Sequence, residues 1–98
     1  MEKIEIHEGE KGLSFFSIHE SGGAEVGRMT VSVKGSKLEA GYTSVAFAQR
    51  KNGYGKKLID AVVDYAKENN LKVVAKCGFV AMIFNKYPEA YKDIRAEP

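Results

Sequence analysis

The sequence predicts an α+β fold: an antiparallel meander, then strand–helix–strand, then a short C-terminal helix, with one parallel strand pair that splays apart. Three observations carry this. Apolar and polar residues alternate with a period of two through most of the N-terminal half. From Gly53 the apolar period lengthens to three and four. A short β-branched run follows, of the kind that returns a chain to a sheet after a helix.

Ile4-Glu5-Ile6-His7 alternates cleanly and predicts the first strand, and EGEKG (8–12) reads as a turn into a second, Leu13 to Ile18. After ESGG (20–23), Ala24 to Val33 predicts a third strand, and KGSK (34–37) leads into a fourth, Leu38 to Phe47. Leu58, Ile59, Val62, Val63, Tyr65 and Ala66 then form a helical apolar stripe opposite Lys57, Asp60, Asp64 and Lys67. Glu68-Asn69-Asn70 is a helix stop, and LKVVAKC (71–77) predicts a strand parallel to the fourth. GFVAMIFNKY (78–87) predicts a short, mostly buried helix stopped by Pro88, followed by a frayed polar tail.

A chain of 98 residues predicts one domain, 1–98, around a single modest core. The apolar share of 44% and charged share of 29% are those of a soluble globular protein, and no apolar run is long enough to span a bilayer. The opening MEKIEIHEGEKG carries no secretory pattern, and a lone cysteine forms no internal disulfide, so a cytoplasmic, reducing compartment is expected. A net charge of +2 from 15 basic and 13 acidic residues argues against a broad nucleic-acid footprint, and no membrane partner is expected. Any anion selectivity has to be local.

The one concentrated basic stretch is QRKNGYGKKL (49–58), where the fourth strand passes into the helix. Gly53 and Gly55 allow a sharp turn that points backbone N–H groups at one spot, and the helix dipole adds to the positive potential there. Lys56 and Lys57 in the first helical turn are unfavourable by roughly 0.3–1 kcal/mol each if exposed, and a bound polyphosphate reverses that sign. An ordinary strand-to-helix connection with solvated lysines fits the residues equally well. A Walker-type loop does not, because Gly55-Lys56 is followed by Lys57 and no hydroxyl is placed for magnesium.

Arg50-Lys51-Asn52-Gly53-Tyr54-Gly55 resembles the Gln/Arg-x-x-Gly-x-Gly/Ala signature of the GNAT superfamily of acetyl-coenzyme A-dependent N-acetyltransferases, and it lies between the strand and helix that carry it there. Residues 43–91 resemble a small GNAT-like subfamily that joins this turn to a Cys-x-Phe-Val (Cys77, Phe79, Val80) and a Pro-Glu-Tyr, interrupted here by Ala90. Tyr42-Thr43-Ser44 stands where many of those members carry His-Thr-Glu. The resemblance implies a minimal GNAT-like fold that binds acetyl-coenzyme A. The backbone of Arg50, Lys51, Asn52, Gly53, Tyr54 and Gly55 then holds the pyrophosphate, with Lys56 nearby, while Val45 and Phe47 pair with the pantetheine arm and Asn85 borders it. It also implies acetyl transfer to an unidentified amine. Full-sized members wall the acceptor site with two helices after the first strand, and here only EGEKG intervenes, so the acceptor cleft is open or is completed by a partner chain, as in a homodimer. A coenzyme A-binding module without catalysis is the alternative, and a plain interaction domain a third.

Cys77, at the end of the predicted parallel strand, is the candidate nucleophile, since a following helix N-terminus and Lys76 both favour a thiolate, although a lone cysteine also serves as a small buried hydrophobe. Tyr87 and Tyr91 are the candidate acids for the leaving thiolate if transfer is direct. His7 and His19 are expected on the surface with no second ligand at metal-binding spacing, so no metal site is expected. Met29, Met82, Phe79 and Phe84 are expected in the core, and Tyr42 beside the cleft.

Overall fold

A computed structural model describes residues 3–10, 13–45 and 53–96, with Val45 described through its backbone. The elements run β1 (Lys3–Glu8), β2 (Leu13–His19), β3 (Glu25–Lys34), β4 (Lys37–Val45), α1 (Tyr54–Glu68), β5 (Lys72–Ala75), α2 (Gly78–Lys86), α3 (Pro88–Tyr91) and β6 (Arg95–Ala96). The strands form one sheet in sequence order, antiparallel through β4 and parallel from β4 to β6. The mixed α+β architecture and the parallel crossover through α1 are those the periodicity predicts.

Alternation sorts the sheet into two faces. Phe16, Ile18, Met29, Val31 and Leu38 turn inward and are buried, and the α1 stripe of Leu58, Ile59, Val62, Val63 and Ala66 covers them. Each such side chain contributes roughly 1.5–3 kcal/mol of apolar burial. Tyr65 of α1 meets Phe16 edge to face, with ring centroids 5.6 Å apart. Gly27 lets the helix sit close, because a Cβ there would lie 3.3 Å from Leu58 Cδ1 and 3.0 Å from Ile18 Cγ2.

The predicted stop of α1 is realised through backbone chemistry. Asn70 takes a left-handed φ of 57°, and the amides of Leu71 and Asn70 donate to the carbonyls of Ala66 (2.8 Å) and Lys67 (3.3 Å). This double closure satisfies carbonyls that the helix end leaves open, and it turns the chain into β5.

Three expectations change. The tail is not frayed: Pro88 both stops α2 and starts α3, Tyr91 and Ile94 are buried, and β6 pairs with β5 through a Val73 amide that donates to Ile94 O at 2.7 Å. β5 ends at Ala75, so Cys77 caps α2 instead of closing the strand. Met82 is 53% exposed on α2, whereas Met29 and Phe84 are fully buried and Phe79 packs at the core's edge.

Candidate active site

The parallel ladder between β4 and β5 runs only from the Lys37–Lys72 pair to the Ala40–Ala75 pair. There the amides of Lys76 and Cys77 both donate to the one carbonyl of Ala40, at 3.0 and 3.1 Å, and the chain swings away into α2. β4 meanwhile continues to Val45, bent by an irregularity opposite Thr30 and Val31 that leaves Gly41 as the extra residue. From Gly41 onward β4 has no partner on its β5 side among the described residues. The gap expected between diverging parallel strands is therefore present.

Two helix N-termini meet at its open end. α1 begins at Tyr54 after Gly53, which sits in the left-handed region at φ 73°, ψ 18°. Its first turn contains no acidic residue, and Gly53 supplies no side-chain cap. The leading amides of such a helix lack intrahelical acceptors and carry a partial positive charge. Gly55 differs from its expected role as a turn residue: it is helical, and the Phe79 ring of α2 lies where its side chain would be, 2.7 Å from a Cβ built there. That contact brings the start of α2 against the start of α1.

Cys77 occupies the N-cap of α2, half-buried, with its Sγ 3.7 Å from Thr43 Oγ1 across the gap. Burial pushes the thiol up, but the Thr43 hydroxyl and the amides of Val80, Phe79 and Thr43 outweigh it and hold the thiol below its ordinary value. The sulfur makes no full capping hydrogen bond, so these amides act on it as nearby dipoles. Since the Thr43 amide faces the sulfur, strand alternation points that of Val45 into the same gap.

Behind the α1 N-terminus lies a polar chain. Lys56 Nζ contacts Asp60 Oδ2 at 3.0 Å, and Tyr91 donates its hydroxyl to Asp60 Oδ1 at 2.5 Å. Asp60 raises the Lys56 ammonium above its usual range, while burial first and the Asp60 bond second raise the Tyr91 phenol. Lys56 Nζ also sits 5.3 Å from the Tyr87 ring centroid. Tyr91 is thus buried and engaged, whereas Tyr87, at the end of α2, is 39% exposed. Asn85 is exposed, its Oδ1 accepting from Arg95 at 2.9 Å. Phe47, Arg50, Lys51 and Asn52 lie outside the described residues.

Two contributors escaped sequence reasoning. Thr43 carries no sequence signal of its own, because only the register of β4 against the α2 start places its hydroxyl by the sulfur. On the other face of the sheet, antiparallel pairing of β1 with β2 draws His7 and His19 together over Ser17, although twelve positions separate them in the chain. The turn length between the strands was the only available signal.

A splayed parallel pair with an electropositive helix start at its mouth defines the class of fold that admits a ligand arm between two strands. The chain belongs to a particular family of that class: residues 15–94 match the profile of the GCN5-related N-acetyl-transferases. It is similar to the solution structure of a GCN5-like protein from Staphylococcus aureus, with 32% identity, 96% of this chain and 89% of that one covered, and a TM-score of 0.70. Tetrahymena GCN5 shares the fold at 15% identity and a TM-score of 0.65, over 79% of this chain and 50% of that one. A ribosomal-protein-alanine N-acetyltransferase from Brucella melitensis does so at 20% and 0.65, over 89% and 63%. The chain thus spans only half to two-thirds of those two proteins. No curated protein matches it by sequence. Among the described residues no helix is long and apolar enough to cross a membrane.

Proposed function

We propose that the protein binds acetyl-coenzyme A in the β4–β5 gap and transfers the acetyl group to an amine. The observation that carries this is the termination of the ladder at Ala40 and Ala75, which leaves β4 backbone groups facing a gap that ends on the α1 N-terminus. The residues present fit the ligand. A diphosphate suits a left-handed Gly53 followed by a first helical turn with no acidic residue, and Lys56 adds a cation within that turn. Thr43 and Val45 offer backbone groups to an extended amide-bearing arm, as strand addition requires. In this reading Arg50, Lys51 and Asn52 also hold the pyrophosphate and Phe47 the arm, and Asn85 borders it from α2. The domain comprises residues 1–98, acts in the cytoplasm, and leaves its acceptor side open to an amine or to a second copy of the chain.

Acetyl-coenzyme A supplies an acyl group activated as a thioester. The protein's part is to fix that carbonyl near amides aimed into the gap, where developing negative charge on oxygen is stabilised. A second feature favours a covalent route: the Cys77 thiol is held below its ordinary value at the place where a thioester would lie. The Cys77 thiolate can then attack the thioester carbonyl, breaking its C–S bond and releasing coenzyme A as a thiolate. The amine next attacks the acetyl-cysteine, Cys77 leaves as a thiolate, and the proton lost from nitrogen goes to a released thiolate or to water. In direct transfer Tyr87, exposed beside Lys56, is better placed than the engaged Tyr91 to return a proton to the departing thiolate.

Calorimetry with coenzyme A tests the binding step, and a Kd weaker than millimolar removes the proposal. Intact-mass spectrometry after single-turnover exposure to acetyl-coenzyme A then separates the routes. An acetyl adduct lost in Cys77→Ala supports the covalent one, whereas full turnover by that variant eliminates it.

A further inference from the structure

The face of the sheet opposite α1 carries a second cluster of chemically capable side chains. Glu5 pairs directly with Ser17 across β1 and β2, and His7 and His19 lie two residues further along their strands in opposite directions. Their imidazoles reach back toward each other over this pair. Ser17 is fully buried, and its Oγ lies 3.0 Å from His7 Nε2 and 2.8 Å from His19 Nε2. His19 Nδ1 lies 3.2 Å from the carbonyl of Gly23, so it must carry the ring proton of a neutral imidazole, and Nε2 is left as a lone pair. The Ser17 hydroxyl then donates to His19, and His7 donates its Nε2 proton to Ser17.

Both rings are held in place. The Gly23 carbonyl orients His19, and Phe15 stacks on His7 at 4.3 Å between centroids with planes 14° apart. An N–H fixed on a backbone carbonyl while the opposite nitrogen faces a shared point is the arrangement that orients a metal-ligating histidine. The third group, Glu5 Oε1, is 3.7 Å from His7 Nε2, and one ligand atom from each of Glu5, His7 and His19 falls within 4.8 Å of the others.

We propose that Glu5, His7 and His19 form a binding site for a divalent transition-metal ion of zinc type. Two imidazoles and one carboxylate are a zinc-compatible donor set, with the fourth position open to water on the solvent side. Tetrahedral bonds of about 2.0–2.1 Å need donor atoms about 3.3 Å apart, so separations of up to 4.8 Å must close by as much as about 1.5 Å. The side chains of Glu5 and His7, 40% and 41% exposed, have room on the solvent side for part of that movement. On binding, the His7 proton moves to Nδ1, and both nitrogens exchange Ser17 for the ion. The neighbouring charges tolerate this: Lys3 meets the other Glu5 oxygen at 3.8 Å, and Arg28 is held by Glu25 through bonds of 3.0 and 3.1 Å. The site clips β1 to β2 on the sheet face that α1 does not cover.

The test is zinc titration of the untagged full chain, by calorimetry and by thermal unfolding, with ring nitrogen signals of both histidines followed by NMR. One ion per chain, a rise in unfolding midpoint, and displacement of the Nε2 signals of His7 and His19 together are expected. His7→Gln and His19→Gln should each weaken binding at least about tenfold, and Cys77→Ala should leave it unchanged. Absence of saturable binding up to about a hundredfold excess of zinc, wild-type affinity in both glutamine variants, or unmoved ring signals in the wild type overturns the proposal. The wild-type signals decide even where a variant does not fold.

Discussion

Gly55→Ala probes the contact that joins the two helix starts. A Cβ at this position lies 2.7 Å from both Cε2 and Cζ of Phe79, where carbon atoms ordinarily keep about 3.5–4.0 Å, so the overlap is about 1 Å. Relief requires the ring to swing off the core edge or the start of α2 to retreat, and overpacking of this kind costs about 1–3 kcal/mol. Against this, alanine gains at most about 0.5–1 kcal/mol over glycine in a helix, and less in the first turn. The balance is a destabilisation on the order of 1 kcal/mol, or a fall in unfolding midpoint of about 4–8 °C for a domain of this size. Urea unfolding followed by far-UV circular dichroism measures it. The diagnostic arm is the double variant: with Phe79→Ala in the background the overlap vanishes, and Gly55→Ala should become neutral or stabilising, a coupling of about 1–3 kcal/mol. Additive effects in the two backgrounds, or a more stable single variant, would refute the packing argument. Because the Phe79 amide acts on the Cys77 sulfur, the single variant should also shift the pH profile of Cys77 alkylation upward.

Gly53→Ala should cost about 1–2 kcal/mol in urea unfolding, because φ 73° is left-handed and, among the described residues, nothing beyond the flanking ones lies within 4 Å to add a clash; Gly53→Asn should cost far less. Thr43→Val removes the hydroxyl that favours the Cys77 thiolate, so the pH midpoint of iodoacetamide alkylation should rise relative to wild type. The folded thiol lies below the unfolded one, so wild type gains stability over Cys77→Ala as pH climbs from the folded value toward the ordinary 9.0, and the gain disappears at lower pH; a difference flat across this range refutes the assigned direction. Ile94→Ala should destabilise by about 2 kcal/mol or more, whereas a frayed tail would leave unfolding unchanged.

Strand and helix order was legible because long periodic segments report which face they bury. β3 and α1 each repeat their pattern over ten or more residues. The C-terminal segment carries no such period: Tyr91 and Ile94 are single apolar residues among charged ones, and their burial depends on a docking site made by Phe84, Asp60 and β5. Short elements held by distant partners leave little trace in sequence. The same limit explains Gly55, whose motif position was visible but whose contact with Phe79 belongs to tertiary packing, and the His7–Ser17–His19 cluster, which exists only at one strand register.

Cys77 was legible as a residue near the mouth of the cleft, but its setting comes from the way β5 stops. Had the ladder continued past Ala75, a Cys77 amide pointing at β4 would occupy the backbone positions that the proposed ligand arm uses. Instead, the Lys76 and Cys77 amides share the Ala40 carbonyl, and this double donation ends the pairing one residue before the Gly41 irregularity bends β4 away. The gap and the thiolate-favouring cap therefore have one origin, the abrupt exit of the chain into α2. A change that extends β5 should close the gap and raise the thiol together, whereas independent movement of coenzyme A affinity and Cys77 alkylation would show the two features to be separately built.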